Sequence, residues 1–296
     1  MAESLIIKSS YSRLSDGSLK SNCGDLLRSM VLLECIGDSC LWLTDERGKS
    51  LIRWFVDPGN IITFNEGINN SKVSRDVDIY NIDNFVCSSE LFNRLSGNWR
   101  GFIRDVKDRL RPENQIIALT EPYSKVESKI SFQQALVEGM GFRWKEQDYT
   151  PCRVEQDTIT DVGLNRHVHP EWKSKSWPVE NWIALAETLQ KYYSVSWQKG
   201  LNNFDEYINW VASCRVIVTQ DSLGLHLASA LRKRVVAVVG PTESREFSYG
   251  RVLSLKPGPR DCMPCNLPAC KVGKECLSEI TVECVADTIM DGIWQK

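Results

Sequence analysis

A short polar stretch in the second half of the chain has the composition of an anion site. The apolar run 216–218 ends in polar residues that reach Asp221 and Ser222, and apolar residues then recur at helical spacing. Asp221 and Ser222 can cap such a helix, while the backbone N–H groups near Leu223 and Gly224 carry the positive end of its dipole. We therefore predict that a phosphate binds at this strand-to-helix turn.

His226 and a second apolar run complete the same unit. His226 lies one helical turn after Ser222, so an imidazole and a hydroxyl can converge on one anion. The run 235–239 ends at Gly240 and Pro241, which makes the unit strand–helix–strand and implies a parallel sheet. A capped helix with an ordinary, partly buried histidine is the alternative, because the turn contains no G-x-G-x-x-G motif.

Four of the eleven cysteines are clustered in the Pro- and Gly-containing stretch 258–278. They are Cys262, Cys265, Cys270 and Cys276. Four thiolates at this spacing can close a tetrahedral site on zinc or iron, and a closed shell makes such a metal structural, not catalytic. Unligated cysteines, or a disulfide-prone loop in an oxidising compartment, are the alternatives.

Three further polar residues lie at junctions of predicted elements. Asp25 opens an apolar-periodic helix, where an acid usually does no more than compensate the helix dipole. Lys175 precedes a helix that is predicted to begin at Pro178, where a cation could neutralise a departing diphosphate. A surface lysine beside a packing tryptophan is the alternative. Gln198 ends the predicted strand 195–197, where it could contact a nucleoside.

Sequence motifs around these residues resemble those of one enzyme family. D-S-L-G-L-H-L-A-S-A-L at 221–231, followed by V-V-A-V-V-G-P-T, resembles the C-terminal motif of the family 9 glycosyltransferases, the heptosyltransferase-like enzymes. Leu223 stands where those enzymes usually have glycine, and Val239 replaces phenylalanine. G-D-L-L-R-S at 24–29 and K-S-W-P at 175–178 resemble two further motifs of the family. Some members, including bacterial protein heptosyltransferases, have a similar cysteine cluster.

The resemblance implies a GT-B fold, in which two Rossmann-like α/β domains face each other across a cleft. Residues 1–150 would bind the acceptor and residues 151–296 the nucleotide-sugar, because the chain turns polar and loses periodicity around Pro151. It also implies inverting transfer without a catalytic metal, with a donor such as ADP-heptose and a glycan, lipid-linked glycan or protein acceptor, as in lipopolysaccharide biosynthesis. We expect catalysis by Asp25 and donor binding by Lys175, Gln198, Asp221, Ser222, Leu223, Gly224 and His226.

Composition excludes some other classes of protein. The formal charge is −2, from 36 basic and 38 acidic residues, so a nucleic-acid-binding domain is not expected. The absence of a long apolar run or a signal-peptide core leads us to expect a cytoplasmic protein. A basic amphipathic helix is predicted over 99–111, and it could touch an anionic lipid surface, although a solvated face is the favoured interpretation.

The remaining predictions concern strands and competing functions. Strands are predicted at 5–8, 40–44, 61–64, 77–82 and 115–119, and another is predicted to end near His169. One competing function is a nucleotide-sugar epimerase or hydrolase of the same fold, which would need a second acid/base carboxylate that the sequence does not reveal. The other is a non-catalytic nucleotide-sugar-binding protein held by its metal loop, against which Asp25 argues.

Overall fold

A computed structural model of the chain describes residues 2–13, 18–37, 39–67, 73–84, 89–105, 107, 109–120, 130–149, 152–154, 157–200, 203–243, 251–273 and 275–291. The chain divides into two compact units, Met1–Thr150 and Pro151–Lys296. Within the ranges given, no helix combines the length and the apolar character that crossing a bilayer requires.

The first unit is built on a six-stranded sheet and a small hairpin. Its strands are β1 (Ala2–Ile7), β2 (Tyr11–Arg13), β3 (Leu19–Ser21), β4 (Leu41–Thr44), β5 (Ile61–Thr63), β6 (Val73–Asn81), β7 (Gly97–Arg104) and β8 (Leu110–Pro112). Its helices are α1 (Cys23–Ser29), α2 (Leu33–Ile36), α3 (Glu46–Ile52), α4 (Ser89–Arg94), α5 (Gln115–Ala118) and α6 (Phe132–Gly139). The strand order is β5-β4-β1-β6-β7-β8, parallel except for the antiparallel pair β7–β8.

The central strand β1 explains why the sheet forms where it does. Leu5, Ile6 and Ile7 have no exposed surface, so the strand is buried on both faces, as an uninterrupted apolar run in a parallel sheet predicts. Between β1 and α1, the polar stretch forms the antiparallel hairpin β2–β3, in which Tyr11 pairs with Ser21. This hairpin therefore lies in the chain between β1 and Asp25.

Two sequence predictions in this unit are wrong. The segment 115–119, predicted as a strand, contains helix α5, whose first turn is capped by the Asn114 side chain accepting from the Ile117 N–H (2.9 Å). The segment 99–111, predicted as a basic amphipathic helix, contains β7 and β8. Pairing of β7 with β6 decides its conformation, and Phe102 is buried. The alternative of a contact with an anionic lipid surface depended on that helix and has no basis in these strands. Val106 and Asp108 lie outside the described residues.

The second unit has a five-stranded parallel sheet in the order β10-β9-β11-β12-β13. Its strands are β9 (Thr160–Asn165), β10 (Val195–Trp197), β11 (Cys214–Gln220), β12 (Arg234–Val238) and β13 (Val252–Leu255). Its helices are α7 (Val179–Leu189), α8 (Phe204–Ser213), α9 (Leu223–Ala230) and α10 (Val282–Asp291). The α/β fold class is thus confirmed, and so is the strand–helix–strand unit β11–α9–β12.

Two buried tryptophans pack together in the core of this unit. Trp177 and Trp182 pack edge-to-face with ring centroids 5.2 Å apart, and the Trp177 indole donates to the Ile280 carbonyl (2.8 Å). Pro178, predicted as the first helical residue, is the N-cap of α7. Strand β9 ends at Asn165, so its predicted end near His169 is wrong.

Candidate functional site

The carboxyl ends of β9, β11 and β12 meet at one edge of the second sheet, because the three strands are parallel neighbours. Ligands of open α/β sheets bind at this edge. Asn165 ends β9, Asp221 and Ser222 follow β11, and Thr242 follows β12. Hydrogen bonds join these residues: Thr242 Oγ1 donates to Asp221 Oδ2 (2.7 Å), and Asn165 Nδ2 donates to Ser222 Oγ (3.2 Å).

Lys175 is brought to this edge by an ion pair with Asp221. Both side chains are largely buried, with 17% and 8% of their surface exposed, and Lys175 Nζ lies 4.4 Å from the centroid of the Trp172 ring. Burial opposes ionisation of Asp221, but Lys175, His226 and the Thr242 hydroxyl outweigh it, so the pKa of Asp221 lies below its ordinary value. At neutral pH the carboxylate is therefore charged and holds the ammonium group at the strand edge.

The first turn of α9 differs from the prediction in one respect. Ser222 is the N-cap in an extended conformation (φ −153°, ψ 179°), yet its side chain makes no capping hydrogen bond. Its hydroxyl lies within hydrogen-bonding distance of Asn165 Nδ2 instead, and the Asp221 carboxylate bonds to Lys175 and Thr242. The prediction that these side chains cap the helix is therefore wrong. The Ser222 hydroxyl accepts no hydrogen bond from the backbone N–H groups at Leu223 and Gly224, which it leaves uncapped.

Gly224 is required for the close approach of α9 to its neighbours. A Cβ atom at this position would lie 2.1 Å from Asn165 Nδ2 and 2.5 Å from Tyr207 Oη. Either distance is far inside van der Waals contact, so a side chain here would push α9 off the sheet edge. The glycine that is displaced by one position relative to the family motif thus has a local steric reason.

His226 and Gln198 occupy buried positions in the same unit. His226 lies in the second turn of α9 with 6% of its surface exposed, and its electrostatic interaction with Asp221 is one of the causes that lower the pKa of that carboxyl group. Gln198 directly follows β10; its Nε2 donates to the Gly200 carbonyl, and in the part of the chain that the structure describes, its buried Oε1 has no hydrogen-bond partner. Burying a hydrogen-bond acceptor without a donor costs free energy. This cost is consistent with a hydrogen bond that Gln198 Oε1 accepts only when a ligand is bound.

A cavity of about 480 Å³ lies beside this edge, between the segment after β9 and the start of α7. Cationic and aromatic side chains line it, among them Arg166, His167, His169, Lys173, Trp177 and Trp182. Sequence analysis named His169 only as the end of a strand and did not point to Arg166 or Asn165. The true end of β9 would have indicated them, since residues that follow a parallel strand face the ligand edge.

Asp25, the predicted base, lies in the first turn of α1 in the first unit. Its carboxylate accepts hydrogen bonds from Arg28 and from the N-cap residue Asn22, and 18% of its side chain is exposed. Burial raises the pKa of Asp25, but Arg28, Lys8 and Asn22 lower it by more, so the pKa lies below its ordinary value. The group is ionised at neutral pH and can accept a proton.

A buried ion pair stands next to this acid at the carboxyl ends of β1 and β6. Lys8 Nζ lies 2.6 Å from Asp83 Oδ1, with 6% and 1% of the side chains exposed, and the Ser9 N–H donates to Asp83 Oδ2 (2.5 Å). Burial raises the pKa of Asp83 despite Lys8. Backbone bonding links this edge to α1, since the Asn22 N–H donates to the Ser10 carbonyl (2.7 Å).

The four clustered cysteines lie in or beside the irregular segment between β13 and α10, all partly exposed. The Cys276 thiol faces Gly240, where an added Cβ would lie 2.8 Å from its sulfur. Burial raises the pKa of Cys276 although Arg260 opposes this, and Cys265 raises it further. No three His, Cys, Asp or Glu residues among those described are placed so that they could hold a metal ion. The arrangement therefore does not fit a closed four-thiolate site as it stands.

Comparisons with known proteins agree with the fold and with the motif around Asp221. Residues 200–271 match the family model described as "Glycosyltransferase family 9 (heptosyltransferase)". No curated protein sequence matches the chain.

Solved structures match nearly the whole chain in fold. The E. coli heptosyltransferase WaaC with ADP-2-deoxy-2-fluoro heptose is 14% identical, covers 97% of this chain and 99% of its own, and has a TM-score of 0.59. E. coli ADP-heptose lps heptosyltransferase II is 12% identical, with 98% of each chain covered and a TM-score of 0.64. The iron-containing dodecameric glycosyltransferase TibC from enterotoxigenic E. coli H10407 is 13% identical, with 99% of this chain and 76% of its own covered and a TM-score of 0.59. Residues 200–271 are therefore similar to the family 9 glycosyltransferases (heptosyltransferases), and nearly the whole chain is similar in fold to solved heptosyltransferases.

Proposed function

We propose that this protein transfers heptose from ADP-heptose to an acceptor hydroxyl with inversion at the anomeric carbon. The ion pair of Lys175 with Asp221 at the uncapped start of α9 carries the proposal, because it places a cation and free backbone donors where a diphosphate would lie. The structural neighbour WaaC contains an ADP-heptose analogue, which supports this choice of donor.

In this proposal the second unit, 151–296, binds the donor. Lys175, the Ser222 hydroxyl and the N–H groups of Leu223 and Gly224 would hold the diphosphate, with His226 one turn further along α9. The buried Oε1 of Gln198 could accept a hydrogen bond from the nucleoside. All of these groups sit at the carboxyl edge of one parallel sheet, where charge that develops on a leaving group is best stabilised.

The first unit, 1–150, would bind the acceptor and provide the base. Asp25 would accept the proton of the acceptor hydroxyl while that oxygen forms a bond to the anomeric carbon. The bond from that carbon to the diphosphate oxygen breaks in the same step, and ADP leaves with the bonding electrons. Attack opposite the leaving group inverts the configuration. Lys175 and the start of α9 supply the charge stabilisation for the leaving diphosphate in this scheme.

A structural zinc or iron ion on Cys262, Cys265, Cys270 and Cys276 stays a proposal. Their spacing supports it, and the structural neighbour TibC is described as iron-containing. The thiols would have to converge further to form the site, since the described residues contain no group of three ready to bind a metal. No catalytic step depends on this ion.

Transfer can be tested by incubating the protein with ADP-heptose and separate pools of glycan, lipid-linked glycan and protein acceptors. The expected result is ADP release that depends on one pool, with a mass increase of one heptose on that acceptor and an inverted linkage by NMR. Equal ADP release with and without acceptors would instead show a hydrolase. Binding of ADP-heptose without release of ADP in any pool would show a non-catalytic binding protein.

A further inference from the structure

Asn165 lies at the centre of the donor edge, although no sequence motif pointed to it. We infer that Asn165 is a positioning residue for donor binding: its amide holds the Ser222 hydroxyl away from the first turn of α9. The hydroxyl proton and the N–H groups of that turn then both remain available to a diphosphate. This inference rests on the proposed function of the site.

The sheet fixes the position of Asn165. It is the last residue of β9, is completely buried, and pairs in register with Thr219 of β11. Its Nδ2 donates to Thr219 Oγ1 (2.8 Å) and to Ser222 Oγ (3.2 Å). One amide group therefore links the end of β9, the end of β11 and the N-cap of α9.

The hydrogen bond from Asn165 replaces the capping hydrogen bond that Ser222 would ordinarily make at the start of α9. A serine at an N-cap ordinarily accepts a hydrogen bond from an N–H group of the first turn, but Ser222 makes no such bond. A hydroxyl that accepts from Asn165 keeps its own proton to donate, either to Thr219 Oγ1, which lies 3.5 Å away, or to a ligand. Phosphate oxygens only accept hydrogen bonds, so this orientation converts a helix cap into an additional donor for the ligand.

Packing shows that the amide itself is needed at this position. Asn165 Oδ1 is buried, and among the described residues it has no hydrogen-bond partner, a cost that an apolar residue of similar size would avoid. On the other side, α9 approaches Nδ2 so closely that only glycine fits at 224. Asn165 Oδ1 therefore contributes no hydrogen bond within the described part of the chain, while Asn165 Nδ2 donates to Ser222. This difference indicates that the role of Asn165 is donation by Nδ2.

A double-mutant cycle with ADP as the probe tests this role. In calorimetry, Asn165→Ala should weaken ADP binding about tenfold or more, the scale of a hydrogen bond to a charged group. In a Ser222→Ala background, the same substitution should change ADP affinity less than twofold, because the hydroxyl through which Asn165 acts is gone. Equal losses in both backgrounds would overturn the inference.

Two further variants separate positioning from a general structural effect. Asn165→Leu has a similar size, adds no charge and cannot donate, so it should show the same coupling to Ser222, and it replaces the alanine variant if that fails to fold. Thr219→Val removes the other acceptor of Asn165 and should weaken ADP binding less than Asn165→Ala does. A loss of the same size from Thr219→Val would show that Asn165 merely braces the sheet and would overturn the inference. If the unaltered protein does not bind ADP, the donor site itself is refuted and this role with it.

Discussion

Arg28 lies one turn after Asp25 in α1 and donates a hydrogen bond to its carboxylate. The guanidinium group also lies 4.2 Å from the centroid of the Phe132 ring, so α6 helps to fix its position. Burial raises the pKa of Asp25, but Arg28 is the largest of the groups that lower it, and the pKa lies below its ordinary value. Substitutions of Arg28 can therefore test how this contact affects the pKa of the proposed base.

Asp25→Asn should lower turnover by roughly two to four orders of magnitude, the usual contribution of a general base. The amide has the shape of the acid but cannot accept the acceptor's proton. ADP affinity should be unchanged, because the proposed donor groups belong to the other unit. Asp105→Asn is the matched control, since that carboxylate of the same unit bonds to Arg109 and should not affect turnover. Near-normal turnover of a folded Asp25→Asn protein would remove Asp25 from the mechanism.

Arg28→Gln should raise the pKa of Asp25, because burial then acts with less opposition. The base works when deprotonated, so kcat/KM falls as pH drops through this pKa, and the acid limb of its pH profile should move to higher pH. Arg28→Lys keeps the positive charge and should move the limb less. The profile of kcat/KM against pH measures both. An acid limb that stays in place in Arg28→Gln would show that Asp25 does not control it.

The same pKa has a consequence for stability. Because the folded-state pKa is depressed, the interactions of Asp25 stabilise the fold fully above the unfolded value of about 3.9 and are lost as pH falls through the folded value. Acid unfolding of the Arg28→Gln protein should therefore begin at higher pH than that of the unaltered chain. Circular dichroism during acid titration provides the measurement.

Local sequence signals located some elements of the site and misplaced others. The turn between β11 and α9 was predictable, because an apolar run and a helical period meet there within a few residues. The end of β9 was misplaced, since Asn165 is a buried polar residue whose partners, Thr219 and Ser222, lie far away in sequence. For the same reason the bonding of Lys175 to Asp221 could not be derived from spacing; only the fold brings them together.

Lys175→Ala should weaken ADP binding by about 1–3 kcal/mol, the range for a charge-assisted hydrogen bond. It should also raise the pKa of Asp221, whose depression depends on this lysine. Lys173→Ala is the control, because Lys173 lies in the same short 3-10 helix but lines the neighbouring cavity. Calorimetry that finds equal ADP affinity for Lys175→Ala and the unaltered protein would place Lys175 outside the donor site.

Elemental analysis should find about one equivalent of zinc or iron in protein purified without chelator, if the four clustered cysteines bind a structural metal. A strong chelator should then lower the melting temperature, because metal binding contributes to folding. Cys265→Ser should abolish the metal content, whereas Cys284→Ser, at an exposed cysteine in α10, should leave it unchanged. Protein with reduced cysteines and no metal would refute the proposal.

Gly224→Ala tests the close approach of α9 to the sheet edge. Alanine is favoured over glycine within a helix by about 1 kcal/mol, so helix propensity alone predicts a more stable protein. The contacts predict the opposite: the new Cβ would meet Asn165 Nδ2 at 2.1 Å and Tyr207 Oη at 2.5 Å, and overpacking of this kind costs about 1–3 kcal/mol. A lower melting temperature and weaker ADP binding are therefore expected. Gly258→Ala is the control, because no atom lies within 4 Å of a Cβ built there. A rise in melting temperature for Gly224→Ala would mean that α9 has room at this position, and Asn165 would then not be held against Ser222 by packing.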